Sequence, residues 1–327
     1  MRIQQFVVVL MMAGAMVACG SKQPDKPGGP AAASGGAAKA APSGNATAEQ
    51  VAEEARGDID CPAKIKTPAP PDGAPVIDVV GVRPGLTYEE AANIVACTND
   101  LMVVGSAITR GINMQTYGQT IRQGFTAQFA EPRVQKTSKQ IIQEMQDEAM
   151  ARGSNRRTED MAAGTSRWYV GTMGMPGQER VINAARKERF AEGKNPTLAS
   201  LEKALVSKYG TPTKKQIGGN YFILRWAYDL QGRPITETSP LANKCTGSSS
   251  PDGGVSYSPD CGVVVEAQAN PLRENPDLAE WLQVGVVDDA GGYDAITRTE
   301  QALQQGENER RARQTEDAAK NADAPQL

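Results

Sequence analysis

No histidine occurs anywhere in the 327 residues. That absence removes Ser-His-Asp and Cys-His catalysis, imidazole proton shuttles and every metal site that needs an imidazole ligand. Aromatic residues are scarce too, at 5% of the chain. There is no basic excess: 35 lysines and arginines face 38 acidic residues. Phosphate recognition needs clustered positive charge, so this balance argues against a nucleic-acid partner. The apolar run from Phe6 to Val17 falls short of the roughly 20 residues that a membrane-spanning helix requires.

That run has the anatomy of an export signal instead. Arg2 supplies the positive start, and about a dozen apolar residues follow. It ends in Met16-Val17-Ala18-Cys19, followed by Gly20-Ser21. The tetrapeptide resembles the lipobox of bacterial lipoproteins, where small residues precede a cysteine that is diacylated before cleavage; Met16 stands where leucine is usual. The resemblance implies that residues 1–18 are removed and that Cys19 becomes the lipid-bearing first residue. Two or more acyl chains anchor stably where one does not. Gly20, rather than aspartate, implies sorting to the outer membrane, facing the periplasm.

Gly20 to Asn45 reads as a tether, because 20 of its 26 residues are Gly, Ala, Ser or Pro and none is large and apolar. As a coil it would span about 25–30 Å end to end. A short helix is permitted over Ala46 to Arg56, but poor order is expected until about Asp58, which makes 19–57 the lipidated linker.

Four cysteines remain, an even count that in an exported chain suggests two disulfides with three possible pairings. Cys245 and Cys261 flank a Ser-, Gly-, Pro- and Asp-rich segment, and closing a loop of about 15 residues is worth about 3 kcal/mol. These two are expected to pair, and Cys61 with Cys97 by subtraction. No Cys-x-x-Cys spacing supports a metal site, so none is expected.

The body reads as α+β, with two helix-plus-antiparallel-strand units at 58–178 and 179–293. In the first, Pro75 to Val82 is an extended lead-in. Thr87 and Glu90 form a capping box that opens a helix with Tyr88, Ala91, Ala92 and Val95 on one face. Strands are expected over Leu101 to Thr109, around Phe125, Ala127 and Phe129, and around Trp168, Val170 and Thr172. A polar insertion, 133–165, holds a helix from the Thr137–Gln140 capping box, with Ile142, Met145 and Ala149 as a narrow stripe, and then a loop over Arg152 to Asp160. In the second unit, helices are expected over Glu179 to Phe190 and from Thr197, the latter with Leu198, Leu201, Leu205 and Tyr209 on one face and Gly210 as its stop. Alternation marks strands over Tyr221 to Leu230, Val263 to Ala269 and Leu282 to Val286. Residues 294–327 read as a polar tail or solvated helix, with Glu307–Arg311 and Glu309–Arg313 at favourable spacing.

Candidate chemistry is thin. Ser200-Leu201-Glu202-Lys203 matches S-x-x-K but lacks a downstream Lys-Thr-Gly. The Asp288 to Asp294 segment fails the calcium-loop pattern, since Asp289 as first position puts Gly291 third and Asp294 sixth. Met173 to Glu179 lacks a phosphate-loop ending and reads as a turn feeding a helix. The adjacent carboxylates Glu53-Glu54, Glu89-Glu90 and Asp147-Glu148 do not face each other on a helix. Trp168, Tyr221, Trp226, Tyr228 and Trp281 would either line a sugar-binding surface or fill the core.

The run Gly81-Val82-Arg83-Pro84-Gly85-Leu86-Thr87-Tyr88-Glu89-Glu90-Ala91 resembles the Gly-Met-Thr/Ser helix start of two groups. These are the outer-membrane assembly lipoproteins of the BamE (SmpA/OmlA) type and the β-lactamase-inhibitor-like proteins. Leu86 stands where they often have methionine. The resemblance implies helices packed on an antiparallel sheet, repeated in tandem in the inhibitor-like group. The expectation is a lipid-anchored envelope protein without cofactor or catalytic activity, acting as an assembly, scaffold or inhibitor module on another envelope protein. A peptidoglycan- or glycan-binding lipoprotein is the alternative, and a histidine-free envelope hydrolase a second one.

Overall fold

Helix starts are where the sequence is most literal. Thr47 and Gln50 form a reciprocal capping box on α1 (Ala48–Arg56), and Thr87 and Glu90 form one on α2 (Tyr88–Ala96). In the computed structural model, which describes residues 44–57, 59–105, 111–153, 161–218 and 221–321, α1 is already part of the body. Ala52 is buried and Arg56 donates to the Asp100 carbonyl at 2.6 Å. Residues 44–57, expected to be poorly ordered, are therefore part of the described body, because a capped helix with one apolar contact and an arginine clamp offsets its polar composition. The expected leader, Cys19 and the tether up to residue 43 lie outside the described residues. So do residues 106–109 of the first expected strand and 154–160 of the expected loop.

After α2 come β1 (Met102–Gly105) and β2 (Gly124–Phe129), then α3 (Ser138–Gly153) in the polar insertion. β3 (Ser166–Met173) and β4 (Arg180–Arg189) follow as a hairpin. Then α4 (Leu198–Tyr209) precedes β5 (Lys214–Gly218), β6 (Tyr221–Ala227), β7 (Val263–Leu272) and β8 (Asn275–Asp288). The last element is α5 (Asp289–Asn321). The eight strands form one antiparallel sheet in the order β1-β2-β3-β4-β8-β7-β6-β5. The α+β class holds; residues 44–327 form a single compact unit, with β4 and β8 joined through the middle of the sheet.

Three expectations fail in instructive ways. Glu179 to Phe190 is strand, not helix: β4 is central, and Val181 to Ala185 are buried on both faces. A doubly covered strand loses its alternation, so its apolar spacing mimics a helix. The turn at Met175 to Gln178 consequently feeds a strand. β5 was not foreseen, since it is a polar edge strand led by Lys214 and Lys215, and edge strands are guarded by charge. The C-terminal helix starts at Asp289 rather than 294 and is docked as well as solvated: Thr299, Leu303 and Glu307 are buried, and every described residue beyond Glu307 is exposed. Arg311 pairs with Glu307 as its spacing suggests.

One face of the sheet carries the apolar core. Phe125, Trp168, Phe222 and Trp226 are all but fully buried there, beneath Ala91 and Val95 of α2 and Leu201, Leu205 and Tyr209 of α4. The opposite face is polar at its centre, with Lys187, Glu266 and Gln283 buried, and is crossed by the loop between Cys245 and Cys261. That crossing is close: a Cβ on Gly285 would lie 2.0 Å from the Ser248 carbonyl oxygen, so only glycine fits. Both expected disulfides are present, Cys61–Cys97 and Cys245–Cys261.

Candidate functional site

α2 lies over β1 to β4 and α4 over β7 and β8, and a groove of about 200 Å³ lies between α4 and the Val79–Val82 turn. Its floor is Leu282 and Val284 of β8, both only half-buried, and its far wall is Leu201, Ala204 and Leu205 of α4. The near wall is the Val79–Val82 turn. Leu282 and Val284 fall on the strand positions that face the helices, and the sheet there is wider than two short helices can cover.

The turn is the unusual part. Val79 and Val82 exchange both backbone hydrogen bonds, at 2.8 and 3.0 Å, around a two-residue loop of Val80 and Gly81. Both central residues have positive φ, 47° for Val80 and 84° for Gly81. Such turns favour Asn-Gly. A β-branched residue in the left-handed region is strained, yet Val80 is 48% exposed at the groove's rim. The surroundings hold it there. The Asp78 carboxylate accepts from the Gly81 amide at 2.7 Å and from Lys208 Nζ at 2.9 Å, and Tyr209 donates its hydroxyl to the Asp78 carbonyl at 2.8 Å. Strain maintained by this many contacts is a feature of functional positions.

Arg186 of β4 supplies the groove's polar end. Its Nη1 donates to Glu188 at 2.7 Å, and its guanidinium carbon lies 5.8 Å from the ring centre of Trp168, its cross-strand neighbour. Arg186 Nε and Trp168 Nε1 are both buried donors without a hydrogen-bond partner among the described residues. Arg186 lines the groove while Trp168 belongs to the core, so the groove suits an apolar side chain and, at its Arg186 end, a carbonyl or carboxylate oxygen.

The larger cleft at the start of α2, about 630 Å³, has a different character. Its Glu90 accepts from the Lys66 and Thr67 amides at 2.6 and 2.7 Å, from the Thr67 hydroxyl at 2.5 Å and from the Thr87 amide at 3.0 Å. Burial alone would raise its pKa, but these hydrogen bonds outweigh it and hold the group at about 2. Its acceptor capacity is spent on strapping the lead-in to α2. Nearby, Arg122 joins Glu89 to the buried Glu179 and lies 4.4 Å over the Tyr88 ring. Burial opposes the charge on Glu179, and the bonds from Arg122 more than reverse this, keeping it ionised.

The residues weighed from the sequence are mostly absorbed by structure. Ser200 lies in the first turn of α4, its hydroxyl donating to the Thr197 carbonyl at 2.8 Å. Asp288 ends β8 and caps α5 by accepting from the Gly291 amide at 2.9 Å. Burial pushes the neighbouring Asp289 up to about 7. Among the described residues, no group of three acidic or cysteine side chains is placed to hold a metal ion. Trp168, Trp226 and Tyr228 are core, and of the five aromatics considered for sugar binding Tyr221 alone is largely exposed. The groove residues were missed for two reasons: Arg186 sat in a segment read as helix, and Val80-Gly81 hid a hairpin because valine replaces the usual asparagine. An apolar-X-Gly-apolar pattern was the available signal.

No protein-family model matches the chain, and neither a curated protein nor a solved structure matches it.

Proposed function

We propose that this chain is a lipid-anchored protein of the bacterial cell envelope, held at the outer membrane through Cys19 and facing the periplasm. In this reading it is a non-catalytic interaction module, of assembly, scaffold or inhibitor type, that receives an apolar side chain of another envelope protein in the groove between α4 and the Val79–Val82 turn. The observation that carries the reading is Val80, a strained valine kept half-exposed on the rim of an open apolar groove. The guanidinium of Arg186 at the groove's polar end adds a place for one backbone carbonyl of the partner. Apart from the inserted α3, the order of a helix then four strands recurs from α2 to β4 and from α4 to β8, which fits two related halves that share one sheet.

The test is site-specific photocrosslinking in intact cells, with the reactive residue placed at Val80 or Ala204. A discrete adduct at these positions, absent when the probe replaces exposed Lys320 at the end of α5, is the expected result. Labelling of the full chain with a palmitate analogue should be lost in Cys19→Ser. Equal crosslinking at all three positions, or none, would sink the groove as the partner site.

A further inference from the structure

Thirteen large apolar side chains are exposed among the described residues, and five of them fall within the 17 residues from Val134 to Met150. Ile141, Ile142 and Met145 lie within an arc of about 100° on α3. None of them belongs to either core cluster, and their exposure runs from 46% for Ile141 to 64% for Met145. Elsewhere on the molecule exposed apolar residues are scattered, which is ordinary. A helix that keeps such a stripe uncovered is built to lay it against something.

The chain's path says what that is. Residues 1–43 precede the described body, which they enter at the root of α3. There the Asn45 carboxamide oxygen accepts from the Gln135 amide at 2.7 Å, and Ala46 and Arg133 exchange backbone bonds at 2.9 Å each. Arg133 is fixed in turn to Glu54 of α1 at 2.7 Å. The expected tether reach of about 25–30 Å is shorter than the width of about 50 Å for a compact unit of this size. A lipid at its far end therefore holds the root of α3 towards the bilayer more often than any other part of the surface.

We propose that α3 is a second membrane contact, lying in the lipid–water interface with Ile141, Ile142 and Met145 inserted. The proposal rests on the membrane-anchored reading above and adds to it a contact that needs no covalent lipid. Apolar insertion drives it, since over residues 136–153 Lys136, Lys139 and Arg152 are balanced by Glu144, Asp147 and Glu148. A second copy of the chain is a poorer occupant: three side chains cannot supply the roughly 800 Å² per partner of a stable interface.

The experiment is vesicle flotation of the chain from residue 19 onward carrying Cys19→Ser, so that no lipid can be attached. Phosphatidylcholine vesicles, with and without phosphatidylglycerol, should both carry it upward, with little loss at high salt. Ile142→Glu and Met145→Glu should each weaken partitioning at least about tenfold. Because both positions are exposed, the circular dichroism and urea midpoint should not move. Met145→Trp should shift its emission to the blue on adding vesicles. Failure of the parent chain to float, or flotation indifferent to the glutamate variants, overturns the proposal. So does a concentration-dependent dimer abolished by the same variants without vesicle binding. If the full chain takes up no palmitate yet the unlipidated chain floats through α3, the anchor reading falls and this one stands; palmitate uptake without flotation gives the reverse.

Discussion

Val80→Asn should make the protein more stable and a poorer binder. The left-handed conformation costs an ordinary L-residue about 1–2 kcal/mol, and asparagine is among the few that visit it routinely. Against this gain stands the apolar contact that Val80 makes. Full burial of a valine is worth about 1.5 kcal/mol at the lower end, and Val80 is 48% exposed, so about half of that is at stake. The balance favours asparagine by about 0.5–1 kcal/mol. The turn's two cross-bonds and the Asp78 clamp are backbone or neighbour interactions that the substitution leaves in place. Urea unfolding is the assay, with an increased midpoint and an unchanged slope expected. Crosslinking from Ala204 in the same variant should fall. A lower midpoint would refute the strain argument, and a raised midpoint with undiminished crosslinking would refute the idea that strain is kept for binding.

Other consequences can be checked with the same measurements. Gly285→Ala places a methyl carbon 2.0 Å from the Ser248 oxygen and should cost about 1–3 kcal/mol, with faster proteolysis between Cys245 and Cys261; a neutral result would mean that the loop does not cross the sheet this closely. Replacing Cys245 and Cys261 together by alanine should cost about 3 kcal/mol, and replacing Cys61 and Cys97 about 4 kcal/mol for their longer loop, both read from urea curves. Burial raises the folded pKa of Asp289 to about 7 from an ordinary value of 3.8, so the folded state binds the extra proton. Its contribution is greatest below pH 4 and disappears as pH climbs through 7, and Asp289→Asn should flatten that slope. Glu90 has the opposite sign: its folded pKa of about 2 lies below the ordinary 4.5, so its stabilisation is full above pH 4.5 and fades towards pH 2. Glu90→Gln should remove that acid limb.

Local signals in the sequence located the elements that they govern locally. The Thr87–Glu90 and Thr197 starts, the Gly210 stop and the alternation of Phe222, Leu224 and Trp226 all reflect nearest-neighbour physics, and each element formed there. Cysteine pairing was legible because loop entropy depends on separation alone. What was not legible depends on position in the sheet. β4 lost its alternation by becoming central, and β5 lost its apolar signature by becoming an edge. Leu230, apolar in the alternating run, lies past the end of β6 and is exposed. The groove was hidden for the same reason: Leu282 and Val284 alternate as a buried strand would, and only the placement of α4 and the Val79–Val82 turn, from separate parts of the chain, leaves them half covered. Val80 is visible as odd only after its φ is known.

The place of β4 in the strand order governs how the chain can reach this structure at all. Strands β1 to β4 are consecutive in both sequence and space, so each can pair as soon as its successor is available. β4 must then wait for β8, which lies almost a hundred residues further on, before its second edge is paired. During that interval the apolar middle of β4, Val181 to Ala185, is an open edge of the kind that templates pairing between molecules. A chain emerging from N- to C-terminus passes through this vulnerable stage every time. Concentration during refolding, more than any contact in the finished protein, should decide the yield, and nascent chains that stop before β8 should be the ones that aggregate or need a chaperone.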